Sequence, residues 1–223
     1  MQTVELVNSL DILIPLSYNP YTRDKEMKKK VEFYYDLSSP YSYLASTRIE
    51  GICEKYDAEL EWKPFLLGGI LKETGNRAPI EVPNKKVYII KDLEAWARCY
   101  GVPFNFPDPF PLHSVKPMRG ALVAKEGGKI RHYTQKLFAL YMVEGKDLNQ
   151  DDVLKNAISE LGMDADWFLR RIGEQDIKDE LRKETDEAAR RGAFGAPTIF
   201  IGEKMFWGND RLIFVEEYLR GNL

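Results

Sequence analysis

A chain of 223 residues can bury a full core, as one domain with a large insertion or as two small domains. Its 44% hydrophobic and 30% charged residues are the balance of a globular protein, and a formal net charge of -3 offers no general attraction to nucleic acid. No apolar run reaches the roughly 18 to 20 residues that span a bilayer, so no membrane partner is expected.

The first 29 residues read as an extension ahead of the core. Tyr18-Asn19-Pro20-Tyr21 and the basic run Lys28-Lys29-Lys30 carry no core pattern, and Met27 is an alternative start. Glu5 and Asp11 interrupt the apolar stretch and no basic region precedes it, so a cleaved signal peptide is not expected. The two cysteines, Cys53 and Cys99, form no CxxC pair. That argues against a disulfide scaffold, a zinc site and a dithiol redox centre. The expectation is a reduced, cytoplasmic protein with core or half-buried thiols.

Order begins at Val31–Asp36, a short β-rich run with alternation that predicts a strand. Ser39-Pro40 then predicts a helix start, running to about Tyr56 with Tyr43, Leu44, Ile49 and Ile52 at helical spacing. Glu59–Phe65 alternates as a second strand, which completes a βαβ unit with a parallel pair. Residues 66–82, with Gly68-Gly69, Gly75-Asn76 and Pro79, read as loop. Helical patterns follow at about 84–100, 117–127, 129–143, 150–161 and 164–190, with a proline-rich irregular connector over 101–117. The end returns to β: Ala196–Ile201, a turn at Gly202-Glu203-Lys204, then Met205–Trp207. Gly208-Asn209-Asp210 opens a last helix with Leu212, Val215 and Leu219 on one face. This order predicts an α/β thioredoxin fold with a large all-helical domain inserted between its βαβ and ββα halves. The expected division is extension 1–29, thioredoxin-like domain 30–65 and 191–223, and helical insertion 66–190.

Ser39 has two compatible readings. A serine before a helix is a cap. A hydroxyl at a helix N-terminus is also a good donor to an anion, because the free amides there carry about half a positive charge. No strong base is near in sequence, so Ser39 is a poor nucleophile. It can instead stabilise a thiolate supplied by a ligand, since one hydroxyl has a proton and two acceptor sites. Ala196-Pro197 is either a strand-edge proline or a cis peptide that frees the Ala196 backbone for an extended ligand. Asn209 and Asp210 are helix-capping types, or a grip on the amino acid end of a ligand. Asn76 and Lys85 would ordinarily be a turn residue and a solvated cation. His113 and His132 stand alone, so no Ser-His-Asp arrangement is indicated. Trp62, Trp96, Trp167 and Trp207 are expected in the core.

The joint order of these pieces is specific. Asp36–Ala45 (DLSSPYSYLA), Gly75-Asn76 before Pro79, Asn84-Lys85 with Tyr88, Asp92-Leu93, Trp96-Ala97, Tyr100–Pro103, Gly192–Thr198 and Trp207–Leu212 follow one another along the chain. In this the chain resembles the 2-hydroxychromene-2-carboxylate isomerases and the kappa-class glutathione transferases of the DsbA-like thioredoxin group, from about residue 31 to the end. The resemblance implies glutathione as cofactor. Ser39 would lie at its sulfur, Asn76 and Lys85 at its glycine end and backbone, Ala196 at its cysteinyl backbone, and Asn209 and Asp210 at its γ-glutamyl end. Ser39 and Ser42 stand where DsbA relatives carry a cysteine pair, so disulfide exchange through that motif is not available. Kappa-class proteins often carry serine where Asn209 stands, which favours the isomerase branch. The implied activity is isomerisation of a small aromatic substrate by a homodimer. The alternatives are a kappa-type transferase or peroxidase, or a thioredoxin-like binding module without chemistry.

Overall fold

The computed structural model describes residues 28–223; the Met27 start and the rest of the expected extension through residue 27 lie outside the described residues. The chain runs β1 (Lys30–Tyr35), α1 (Pro40–Lys55), β2 (Glu59–Pro64), then α2 (Leu67–Thr74) and α3 (Pro83–Tyr100). It continues through α4 (Val115–Glu126), α5 (Ile130–Met142), α6 (Asp151–Glu160), α7 (Ala165–Arg171) and α8 (Gln175–Arg190). It closes with β3 (Thr198–Ile201), β4 (Lys204–Trp207) and α9 (Leu212–Arg220). The strands form one sheet in the order β2-β1-β3-β4. β1 and β2 are parallel, with Phe33 opposite Trp62, while β3 runs antiparallel to both β1 and β4. This is the expected thioredoxin arrangement, with the helices α2 to α8 between its halves.

The two faces of β1 separate two cores. Val31, Phe33 and Tyr35 join the main cluster with Leu44 and Ile49 of α1, Met118 and Leu122 of α4, and Leu137 and Phe138 of α5. Tyr34 faces the other way and packs with Phe65, Ile70 of α2, Ala188 of α8 and Phe200. The alternation of a strand thus decides which helices meet the sheet on which side. Aromatic edges fix the packing: Phe33 meets Trp62 at 5.3 Å, and Tyr34 meets Phe200 at 5.6 Å.

Five expectations need correction. Residues 66–82 are not loop: α2 occupies Leu67–Thr74, and a 3-10 turn covers Pro79–Glu81. Of the two glycines that lower its helix propensity, Gly69 serves close packing, because a Cβ there would stand 3.0 Å from the Thr185 methyl of α8. The pattern over 164–190 is two helices, broken at Ile172–Glu174, with Asp164 capping the first through the Trp167 amide at 2.9 Å. The last helix begins only after a 3-10 turn at Asn209–Arg211. Finally, Trp62 is core and Trp96 packs against it, but Trp167 and Trp207 are each 44% exposed. Cys53 is buried, whereas Cys99 is exposed rather than half-buried.

Candidate active site

The site forms where β1 hands over to α1. The residue before Pro40 has extended backbone (φ -96°, ψ 111°), and the Ser39 hydroxyl accepts from the Ser42 amide at 3.2 Å. That is a helix cap, with proline at the first helical position where its missing N–H is not needed. The same hydroxyl donates to the Ala196 carbonyl at 3.2 Å. Ser39 is only 4% exposed. The serine therefore sits at the helix N-terminus, facing the segment that ends in the cis Ala196-Pro197 bond. Both readings of Ser39 act through one atom.

The cis-proline segment is held from several sides. The Trp207 indole lies flat enough against Gly195 that a Cβ there would come within 2.5 Å of Nε1, and Trp207 also meets the Phe194 ring at 4.7 Å. Only glycine fits under that ring. Thr198 Oγ1 donates to the Gly195 carbonyl at 2.8 Å, and the Gly208 amide donates to the Pro197 carbonyl at 3.0 Å. This last bond ties the Asn209 turn to the cis-proline, so Ser39, Ala196 and Asn209 share one neighbourhood. Asn76 joins it through a bond from its side-chain amide to the Phe194 carbonyl at 3.1 Å. Gly75, in the left-handed region (φ 66°) at the end of α2, turns the chain to place it.

Asn209 is 2% exposed, and its carbonyl accepts from the Tyr100 hydroxyl at 3.2 Å. Its side-chain Nδ2 has no hydrogen-bond partner among the described residues, and neither has the fully buried Ser42 Oγ. Unpaired buried donors are uncommon, and each asks for an acceptor. Asp210 is exposed and forms an ion pair with the adjacent Arg211. Lys85 is exposed in the first turn of α3, without a hydrogen bond or ion pair to the other site residues. The structure thus brings Ser39, Ala196, Asn76 and Asn209 together and leaves Asp210 and Lys85 at the surface.

Sequence reasoning passed over Asp36, which is fully buried one turn before Ser39. Its carboxylate accepts from the Ser38 amide (2.8 Å), the Leu67 amide (2.8 Å) and the Ser114 hydroxyl (3.0 Å). Burial pushes its pKa up, and these bonds pull it back only in part. Tyr41 is a second overlooked group: its hydroxyl donates to Asp92 of α3 at 2.8 Å, and burial raises its pKa further above the phenol range. The signal for Asp36 was its place at a strand end next to the cap. Cys53 has no part here; burial pushes its thiol up to about 12, which makes it inert.

A thioredoxin-type sheet, a cis-proline and a helix start carrying serine rather than cysteine define a non-dithiol variant of that fold. The chain belongs to the DSBA-like thioredoxin domain family, which it matches over residues 30–220. It is 32% identical to 2-hydroxychromene-2-carboxylate isomerase of Sphingobium xenophagum, over 86% of this chain and 99% of that one. It is 30% identical to glutathione S-transferase kappa 1 of Rattus norvegicus, over 82% of this chain and 87% of that one. Among solved structures, a 2-hydroxychromene-2-carboxylate isomerase superposes with a TM-score of 0.80 at 27% identity, over 86% of this chain and 95% of that one. The relatives are isomerases and glutathione transferases, which supports enzyme activity for this chain. No described helix is long and apolar enough to cross a membrane.

Proposed function

We propose that this chain is a glutathione-dependent isomerase of a small aromatic substrate resembling 2-hydroxychromene-2-carboxylate. The observation that carries the reading is the Ser39 hydroxyl, held at the N-terminus of α1 and bonded at 3.2 Å to the Ala196 carbonyl beside cis-Pro197. The residues fit a peptide thiol. Asn209 Nδ2 offers a buried donor in want of an acceptor, as the carboxylate of a γ-glutamyl group would provide. Asn76, bonded to the Phe194 carbonyl ahead of the cis-proline, is the residue that the resemblance assigns to the glycine end.

When bound, glutathione would supply a thiol nucleophile for an unsaturated carbon of the substrate, without being consumed. The chain's own residues prepare that thiolate. The Ser39 hydroxyl, which donates to the Ala196 carbonyl, would be the donor to a thiolate there, while the Ser42 amide keeps its hold on a Ser39 lone pair. The positive end of α1 adds to this, and together they lower the thiol pKa from its usual value near 8.5. Ser39 acts as a donor and never becomes covalently attached. Lys85 and Asp210 serve as outer cationic and anionic contacts for the ligand's carboxylate and ammonium groups.

The test is calorimetric binding of glutathione, followed by ultraviolet titration of the bound thiol in the wild type and in Ser39→Ala. The alanine variant should bind glutathione but ionise it at higher pH. An unchanged titration would remove Ser39 from the role. Free thiol followed through turnover stays constant for an isomerase and falls for a transferase or peroxidase, the reading that the kappa relatives favour. Absence of binding would leave a thioredoxin-like module without this chemistry. We further propose a cytoplasmic homodimer, which light scattering of the purified protein and fractionation of the native cell would check.

A further inference from the structure

We propose that Asp36 is a positioning residue that fixes the distance between Ser39 and Asn76, and so between the sulfur position and the glycine end of the thiol-ligand site. The inference rests on the ligand reading given above, but its structural half stands on contacts that need no ligand.

The connection from β1 to α1 is short, and its amides are accounted for by named partners. Leu37 donates to the Met118 sulfur at 3.3 Å, Ser38 to Asp36 Oδ1 at 2.8 Å, and Ser39 to the Asp36 carbonyl at 3.0 Å. Asp36 therefore holds two successive residues of the loop that ends in the Ser39 cap. Its second oxygen, Oδ2, leaves this loop altogether. It accepts from the Leu67 amide at 2.8 Å and the Ser114 hydroxyl at 3.0 Å.

Those two donors open other helices. Leu67 is the first residue of α2, whose cap position, Leu66, has no side chain able to accept. Ser114 stands at the cap position of α4 but makes no cap bond of its own; its hydroxyl goes to Asp36 instead. One buried carboxylate thus serves the starts of α1, α2 and α4. A carboxylate is favoured at a helix N-terminus, and here it answers the Leu67 amide of α2, which the local sequence leaves without an acceptor, while it also holds the Ser38 amide before α1 and the Ser114 hydroxyl before α4.

The consequence for the site follows from α2. This helix runs from Leu67 to Thr74 and delivers Asn76 across Gly75 to the Phe194 carbonyl. Asp36 Oδ1 sets the Ser39 end and Asp36 Oδ2 sets the start of the helix that carries Asn76. A rigid carboxylate between them fixes one against the other. Displacement of a binding or activating group by about 1 Å can lower turnover by around a hundredfold, even when the cause is remote from the chemistry.

The experiment uses the full chain with Asp36→Asn and Asp36→Ala. Asparagine keeps the shape and one acceptor oxygen for donors that occupied two, so it is the milder of the two substitutions. Hydrogen exchange on the free protein comes first. Segments 37–42 and 66–75 should lose protection together in the variants, and Ser114→Ala should affect both far less. Loss confined to 37–42, or none in either, would overturn the coupling, whether or not glutathione binds. Calorimetry and thiol titration come second. Asp36→Asn should weaken glutathione binding by about tenfold or more and shift the bound thiol to higher pKa. Ser39→Ala should move mainly the second of these. Wild-type protein that binds no glutathione sinks the functional reading alone. Wild-type binding with Asp36→Asn unchanged in both measurements sinks this one.

Discussion

Two charged nodes in this molecule gather partners in similar number and to different effect. Asp36 is wholly buried and is fed by two backbone amides and a hydroxyl from separate parts of the chain. Arg171, the last residue of α7, gathers Glu126, Glu174 and Asp176. Those carboxylates stand in water, from 39% to 63% exposed. Asp36 receives neutral donors and carries the burial penalty for its charge, so its pKa is raised. Asp176, itself in solvent, accepts from the Arg171 guanidinium, so its pKa falls to about 2. A buried carboxylate with amide donors fixes geometry; an exposed ion-pair cluster mostly decorates it.

The comparison breaks first at Asp36. Asp36→Ala leaves the Ser38 and Leu67 amides buried without their acceptor, at roughly 1–3 kcal/mol each. A loss of about 3 kcal/mol in stability is expected, read from denaturant midpoints. A loss under about 1 kcal/mol would mean that water replaces the carboxylate and that the node is not rigid. The pH dependence sharpens the point. A carboxyl whose folded pKa is raised contributes its stability fully below the unfolded value, near 3.8, and loses it as pH rises through the folded value. The disadvantage of Asp36→Asn against wild type should therefore be largest near pH 4 and shrink toward neutrality. A disadvantage that grows with pH would reverse the sign assigned to Asp36.

Ser39→Ala comes next in size. It removes the cap bond to Ser42 and the bond to Ala196, in a helix already favoured by Pro40. The expected loss is about 1 kcal/mol, measured by thermal or denaturant unfolding. A neutral result would mean that α1 does not depend on its cap and that Ser39 is retained for its ligand alone.

The same contrast explains what could be read from the sequence. β1, α1, β2 and the closing β-hairpin were legible because their signals are local: alternation, Ser39-Pro40, and the turn at Gly202-Glu203. α2 was not, because its start is satisfied by Asp36, 31 residues earlier, and Gly69 by the approach of Thr185. The break between α7 and α8 was hidden because Ile172, in the turn itself, is 5% exposed and continues the apolar pattern. At the site, Ser39 could be read as a cap, and the grouping of Ala196, Asn76 and Asn209 came from resemblance to a family. Asp36 was quoted within that motif, yet an aspartate after a strand reads as a turn residue. Nothing local says that its second oxygen belongs to another helix. Trp207 reads as core, but it sits on the edge strand β4 and covers Gly195 from the solvent side.

The smallest effect is expected at the exposed node. Arg171→Met keeps an apolar stem and removes the guanidinium that Glu126, Glu174 and Asp176 share. Stability should fall by less than in Ser39→Ala, and salt should erase the difference, because screening acts on pairs in water. The sign of its pH dependence is opposite to that of Asp36. Asp176 has a lowered folded pKa, so what Arg171 contributes is present above about 3.8 and is lost as pH falls through about 2. Acid titration of wild type against Arg171→Met should bring the two curves together in that interval. Curves that stay apart there, or that ignore salt at neutral pH, would show that Arg171 acts through packing of its stem rather than through charge. The two nodes would then be alike in holding geometry, and burial would no longer be what separates them.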